Sequence, residues 1–318
     1  MMAVIEVLAP GLLTTVQDLG RWGHQASGVS VAGAMDPFAH RLANALVGNT
    51  RHLATLEATM AGPTVAFGDA RAFAVVGGEF ELWLDDRHVP MRTRLHASPG
   101  SVLHIGTRRS GARAYLAIEG GVDVPPVLGS RATHLPSGMG GCQGRALKRG
   151  DRLPLGAVQQ SRRSAHGASL AAFEDISGRD AVHIVRCLAG PHEERFGPDA
   201  LKVLTGAPYV VDASSNRMGY RLTGPALTHT ASPDIISDAT PVGSLQVPGS
   251  GQPVLLMADR QTTGGYAKIA TVITADLGVA AQAAPGEFLR FVRCSRDEAV
   301  EALYAREEWL TAAEARWA

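Results

Sequence analysis

The apolar residues of this 318-residue chain come in short runs, and turns interrupt them almost everywhere. Val4–Leu8, Phe73–Val76, Phe80–Leu84, Val102–Ile105, Ala114–Ile118, Val182–Cys187, Tyr209–Val211, Val254–Met257 and Phe288–Val292 are each strand-sized and bounded by Gly, Pro or polar turn residues. Such a pattern is too short for most helices and predicts a turn-rich, mainly β chain. The 36 glycines and 18 prolines support that reading. A chain this long buries roughly 75% of its unfolded surface, so it needs neither disulfide nor metal to fold, and its length suits two domains.

Two segments depart from the strand pattern. Around Met35–Val47, Asp36 is an N-cap, Pro37 takes the first helical position, Phe38, Leu42, Ala45 and Leu46 share one face, and Gly48 ends the run. Near the C-terminus, Ser295 and Glu298 have capping-box spacing ahead of a stripe of Val300, Leu303, Leu310 and Trp317. Helices are therefore predicted at about 36–47 and 296–316. Residues Ala157–Asp180 are rich in Ser, Ala and charge with little periodicity, which reads as a linker. On its two sides, Ser98-Pro-Gly-Ser-Val-Leu-His-Ile is similar to Ala284-Pro-Gly-Glu-Phe-Leu-Arg-Phe, a faint internal repeat. The expected layout is a β domain over 1–156, a linker over 157–180, a second β domain over 181–295 and a helix over 296–318.

Several function classes are disfavoured. Thirty basic and thirty acidic residues give no net charge, which argues against nucleic-acid and anionic-membrane partners. No apolar run reaches about 18 residues. The N-terminus lacks a basic n-region and Glu6 interrupts its apolar run, so it does not read as a signal peptide. Cys142, Cys187 and Cys294 form no C-x-x-C pair and suit reduced thiols in a cytoplasm. There is no G-x-x-x-x-G-K-[ST] phosphate loop, no G-x-S-x-G elbow and no H-E-x-x-H; the glycine-rich Gly138–Gly144 reads as a tight loop. Lys148, Lys202 and Lys268 are the only lysines, and none sits between methionines as a biotin-carrying lysine does.

Three polar clusters remain. Gln17, Asp18 and Arg21 fall within Thr14–Arg21; they suit recognition of a planar amide or carboxylate, or an Asp–Arg pair that pins a loop. Asn216, Arg217 and Arg221 surround Gly219, read as a bend, and suit bidentate carboxylate binding or plain turn chemistry. Asp259-Arg-Gln-Thr-Thr-Gly-Gly-Tyr-Ala-Lys268 is the densest, with Gly264-Gly265 read as a turn that lets backbone N–H groups approach a ligand. Here Asp259 is the candidate general base or orienting acid, with an ion pair to Arg217 or Arg260 as the alternative. Lys268 is the candidate for steadying negative charge, and Gln261 and Thr262 complete the catalytic set.

Pro10–Arg21, Gly33-Ala-Met-Asp, Ala43-Asn-Ala-Leu-Val-Gly-Asn, Ser215–Leu222 and Asp259–Tyr266 together closely resemble one family, over about Val4 to Val292. It is known as the C subunit of 5-oxoprolinase, allophanate hydrolase subunit 2, KipA or biotin-dependent carboxyltransferase-like protein. The resemblance implies two tandem cyclophilin-like β-barrel domains. It implies a KipI-like partner, the B-type subunit, and a LamB/YcsF-like partner, the A-type subunit. Together they open the lactam of 5-oxoproline to glutamate with ATP, bound by the complex rather than by this chain alone. In that reading Asn216, Arg217, Arg221, Gln246, Tyr266, Gln17, Asp18 and Arg21 contact the substrate. The alternatives are a carboxyltransferase component passing carboxyl from biotin to urea, and a KipA-like regulatory binding protein. Ala267, where relatives often have proline, and Ser137, where glycine is common, depart from the pattern without removing a functional group.

Overall fold

The computed structural model describes residues 3–158 and 182–317. Of the stretch read as a linker, 159–180 lies outside the described residues. The chain divides into two compact units, neither contiguous in sequence: Met1–Arg21, Ala32–Ser177 and Glu308–Ala318 form one, and Trp22–Val31 with Gly178–Glu307 form the other. A linear division at residues 157–180 therefore leaves out two exchanges, a ten-residue loop and the end of the terminal helix.

The first unit holds β1 (Val4–Ala9), β2 (Leu13–Gln17), α1 (Pro37–Leu46), β3 (Thr55–Thr59), β4 (Thr64–Phe67), β5 (Arg71–Leu84), β6 (Arg87–His88), β7 (Leu95–Ala97), β8 (Val102–Ile118) and β9 (Arg152–Pro154). They form one nine-stranded sheet, a half-barrel, with the path β2-β3-β8-β4-β1-β9 and β5 laid along β8. Four predicted short strands merge here into two long ones. Gly77-Gly78 reads as a turn in sequence, yet it lies inside β5 at a register shift against β8. A Cβ on Gly77 would sit 2.3 Å from the Arg113 carbonyl oxygen, and one on Gly78 would sit 2.6 Å from that of Ser110. The pair is a bulge that bends a continuous strand.

Side-chain alternation along β5 and β8 divides the core of this unit. Phe73, Val75, Leu116 and Ile118 join Ile5, Leu56, Phe67 and Leu103 in one cluster. Ala74, Val76, Tyr115 and Ala117 join Leu42 and Leu46 of α1, and Leu310 and Ala313, in the other. Helix α1 starts as predicted: Asp36 accepts from Ala39 N at 3.0 Å and Pro37 occupies the first turn.

The second unit holds β10 (Val182–Ala189), α2 (Ala200–Gly206), β11 (Tyr209–Val211), β12 (Gly219–Thr223), β13 (Asp234–Ala239), β14 (Ser244–Gln246), β15 (Val254–Leu256), β16 (Thr263–Tyr266), β17 (Lys268–Val272), α3 (Leu277–Ala281), β18 (Phe288–Arg293) and the first part of α4 (Arg296–Trp317). Seven strands close a barrel in the order β10-β17-β14-β15-β12-β11-β18, while β13 and β16 make a separate two-stranded ribbon. Buried Val185, Tyr209, Tyr220, Leu245, Leu255, Ile269, Leu289 and Phe291 supply apolar core residues of this unit. The faint repeat has a structural counterpart: Gly100 and Gly286 both turn at φ near +85°, just before β8 and β18.

The capping box of α4 is present. Ser295 N donates to Glu298 at 2.7 Å, and Glu298 N donates to Ser295 Oγ at 3.2 Å. Its apolar stripe is only partly used. Leu310 is buried in the first unit's core, Leu303 is half-buried, and Val300 is exposed. Within the first unit Trp309 stacks on Phe38 with ring centroids 5.4 Å apart, and Glu314 pairs with Arg41 at 3.2 Å. Among the described residues, no helix is long and apolar enough to cross a membrane.

Candidate functional site

Only the first part of the third polar cluster, Asp259–Thr262, is loop. Thr263–Tyr266 is β16, and Lys268 opens β17. Gly264 and Gly265 therefore make no turn. Gly264 is required for close approach instead, because a Cβ there would meet Gln246 Nε2 at 2.5 Å and Thr240 Cγ2 at 3.0 Å. Gly219 likewise opens β12 rather than bending it, with the Leu255 carbonyl 3.0 Å from a hypothetical Cβ.

The β12–β15 ladder pairs Gly219 with Leu256, and backbone bonds continue past it from Met257 N to Met218 O and from Asp259 N to Arg217 O. That register sets Arg217 beside Asp259. The guanidinium grips the carboxylate at two points, Nε to Oδ2 at 3.0 Å and Nη2 to Oδ1 at 2.9 Å, with side chains only 5% and 1% exposed. The expectation that Arg217 holds a substrate carboxylate while Asp259 acts as a base gives way to the ion pair that was the alternative. Both groups are already desolvated and engaged with one another. Asn216, exposed, accepts from Met218 N at 2.8 Å in a tight turn, and Arg221 is exposed on β12 with its carbonyl bonded to Asp212 N. These are the turn contacts weighed against ligand binding.

Lys268 is different. Strand pairing sets it opposite Gln246 of β14, and its ammonium is 2% exposed. Nζ donates to Asp238 Oδ2 at 2.5 Å and to the Ala239 carbonyl at 2.6 Å. The bond to Lys268 holds the Asp238 carboxyl below the usual carboxylate range. Next in sequence, Thr240 O accepts from buried Arg260 Nε at 2.6 Å, and Thr240 N donates to Thr262 O at 3.0 Å. Burial lowers the Arg260 guanidinium to about 10. Two buried cations thus grip three consecutive residues, Asp238–Thr240. The amides beside them are loosely tied: Gln261 Nε2 reaches Gln246 Oε1 at 3.4 Å, and Gln246 Nε2 reaches Tyr266 O at 3.5 Å. Bonds this long exchange readily with a better partner.

Gln17, Asp18 and Arg21 belong to the first unit and are buried there. Gln17 Nε2 donates to Thr15 Oγ1 at 3.0 Å and Thr133 O at 3.1 Å. Asp18 accepts from Gly20 N, Ser130 Oγ and Arg131 N, and Arg21 Nη2 donates to Ala132 O. These residues secure the Ser130–Thr133 segment. The glycine loop beyond it is tightly turned, with Gly138, Gly140, Gly141 and Gly144 all at positive φ.

Asp238 and Thr240 were not singled out from sequence, and Arg260 was considered only as an ion-pair partner for Asp259. The available signal was a buried lysine's need for a counter-charge, but nothing local to Asp238 marks it. A cleft of about 440 Å³ also lies in the second unit, lined by Glu193, Glu194, Phe196, Pro198, Leu201 and Ile269 among others, and none of the predicted site residues lines it. His192 connects the two areas in sequence: Lys268 N donates to its Nδ1 at 3.3 Å, and burial, then the Lys268 charge, lowers its pKa. Among the described residues, no group of three or more His, Cys, Asp or Glu side chains is placed to hold a metal. Burial raises the Cys187 thiol to about 12.

Residues 27–293 match the family model of the carboxyltransferase domain, subdomains A and B. The chain belongs to the 5-oxoprolinase C-subunit family of carboxyltransferase-like proteins. It is 40% identical to the C subunit of Escherichia coli 5-oxoprolinase over 299 residues, 94% of each chain. It is 36% identical to the protein of that name in Haemophilus influenzae over 96% of each chain. Its fold matches the crystal structure of K. lactis urea amidolyase with a TM-score of 0.90 at 30% identity, covering 98% of this chain and 20% of that one.

Proposed function

We propose that this family member is the C subunit of an enzyme that hydrolyses 5-oxo-L-proline to L-glutamate with ATP, acting with KipI-like and LamB/YcsF-like partners. One observation carries the reading: the two bacterial 5-oxoprolinase subunits match over 94% and 96% of both chains, whereas the urea amidolyase match is a fifth of a longer chain. The site chemistry agrees with it. A lactam is a planar amide stabilised by resonance, and ATP activates it by phosphorylating its carbonyl oxygen. ADP leaves in that transfer; one water adds to the carbon, the ring C–N bond opens as its nitrogen takes a proton, and a second water hydrolyses the resulting acyl phosphate to glutamate and phosphate. In this chain the loosely tied Gln246 and Gln261 amides match the donor and acceptor edge of the lactam, and the Lys268 ammonium steadies the oxygen on which negative charge develops. The carboxyl-transfer alternative has the K. lactis fold match in its favour. In that case the biotin arrives on another chain, since none of the three lysines here has a carrier's sequence context.

The test is glutamate release from 5-oxo-L-proline, with and without ATP, by the chain alone and with its KipI-like and LamB/YcsF-like partners. Activity is expected only in the assembled, ATP-supplied mixture, and full activity of the isolated chain would overturn the proposed dependence on partners. Losing one well-placed charge-stabilising donor costs about 10²–10³ in turnover. Lys268→Met in the assembled enzyme is expected to fall by that factor in kcat. Near-normal turnover would move the chemistry to another chain of the complex. ATP-dependent carboxyl transfer from biotin to urea, with no glutamate formed, would establish the alternative.

A further inference from the structure

Resting on the proposed role of Lys268, we propose that Asp238 is a displaceable counter-ion: its carboxylate occupies the seat at Lys268 that a negatively charged ligand oxygen takes when the site fills. Three observations carry this. First, the two partners are unequally exposed, Lys268 at 2% and Asp238 at 53%. The cation cannot turn to water, but the carboxylate can rotate into solvent, giving up one exposed bond from Ala239 N at 2.7 Å that water can replace. Second, the cation does not depend on Asp238 for its position. The Ala239 carbonyl holds Nζ at 2.6 Å independently, and Arg260 and Thr262 fix the next residue through Thr240 O and Thr240 N. The seat therefore keeps its shape when the carboxylate leaves. Third, Asp238 lies on the β13–β16 ribbon, outside the barrel's hydrogen-bonded circuit, where a side-chain rotation disturbs no barrel strand.

A carboxylate oxygen at 2.5 Å from an ammonium occupies the place of the oxygen that gains charge during amide-bond attack. Substrate must compete with it, and the empty site never leaves a buried cation without a partner. Asp238 is a positioning and gating residue in this account, since it never touches the reacting atoms.

Lysine scarcity makes the test clean. The full-length chain is acylated with an N-hydroxysuccinimide ester, and modification of Lys148, Lys202 and Lys268 is followed by peptide mass spectrometry; Lys148 and Lys202 are exposed and serve as internal standards. Asp238→Asn is expected to speed Lys268 acylation several-fold and leave the two standards unchanged. Acetate, or 5-oxo-L-proline, is expected to slow it again, at a lower concentration in Asp238→Asn than in the unaltered chain. Asp234→Asn, on the same ribbon, controls for loosening and is expected to change nothing. Unchanged Lys268 reactivity in Asp238→Asn, equal acceleration by Asp234→Asn, or protection at the same concentration in both proteins would overturn the proposal. Protection by acetate but not by 5-oxo-L-proline would uphold the seat and remove the substrate reading.

Discussion

The two units use buried polar groups in opposite ways. In the first, Glu57 accepts from Tyr115 Oη and Met35 N, both at 2.8 Å, and Tyr115 Oη accepts from Asp36 N at 2.8 Å. His40 bonds Thr55 Oγ1 at 2.9 Å and Arg51 O at 3.1 Å; Asn44 and Asn49 bond each other and the carbonyls of Leu53 and Ile118. Every one of these bonds ends on a fixed backbone group or a buried neighbour, so the network sets the seat of α1 on the sheet. In the second unit, the Lys268 ammonium is buried but its carboxylate partner is half in water, and the neighbouring amides are joined by long bonds. A closed network specifies a fold, whereas a half-open one leaves groups that a ligand can take over. The Arg217–Asp259 pair is the instructive intermediate, placed in the functional unit but closed like the architecture of the first.

The largest expected effect breaks that intermediate. Asp259→Asn leaves the Arg217 guanidinium buried against a neutral amide, and losing one partner of a buried pair costs about 3–5 kcal/mol. Thermal or urea unfolding of the second unit should show it. A variant that melts normally but is inactive would return Asp259 to the catalytic set.

A slightly smaller effect is expected from pH on the first unit. Burial depresses His40 to about 4 from an ordinary 6.5. The folded state therefore resists a proton that the unfolded chain accepts. The stability of the neutral form is complete above about pH 6.5 and declines as pH falls toward 4, by up to about 3 kcal/mol. Denaturant titrations across that window should show the slope, and His40→Gln should flatten it. An unchanged slope would place the pH dependence elsewhere.

The smallest effect sharpens the same comparison. Tyr115→Phe removes one bond donated to Glu57 and one accepted from Asp36 N, with the ring left in place. A lost bond among buried groups costs about 1–3 kcal/mol. The measurement is the unfolding midpoint of Tyr115→Phe beside kcat of the assembled enzyme. Stability should drop while turnover at the working temperature holds. A loss of turnover without destabilisation would mean that the first unit's network also serves the chemistry.

Much of this was legible in the sequence because it depends on neighbours along the chain. Strand-length apolar runs, the Asp36–Pro37 start of α1 and the Ser295–Glu298 capping box are local signals: the two caps bond within one helical turn, and a strand's length and apolar content are read along the strand itself, though its ladder bonds go to other strands. The family motifs were legible too, but their roles were not. Gln17, Asp18 and Arg21 read equally as ligand-binding or loop-pinning, and in the fold they hold Ser130–Thr133, while Asp36 caps α1 and Asn44 and Asn49 help seat it; a buried polar group looks the same in sequence whether it binds substrate or backbone. Glycine misled for a related reason. Gly77-Gly78 and Gly264-Gly265 spell a turn locally, yet the space they must leave is set by Arg113, Ser110, Gln246 and Thr240, all distant in sequence. Only tertiary structure decided that Arg217 meets Asp259, that Lys268 meets Asp238, and that the final turns of α4 count with the first unit. Those pairings follow from strand register and barrel closure, which fix distances between residues whose separation along the chain carries no information about them.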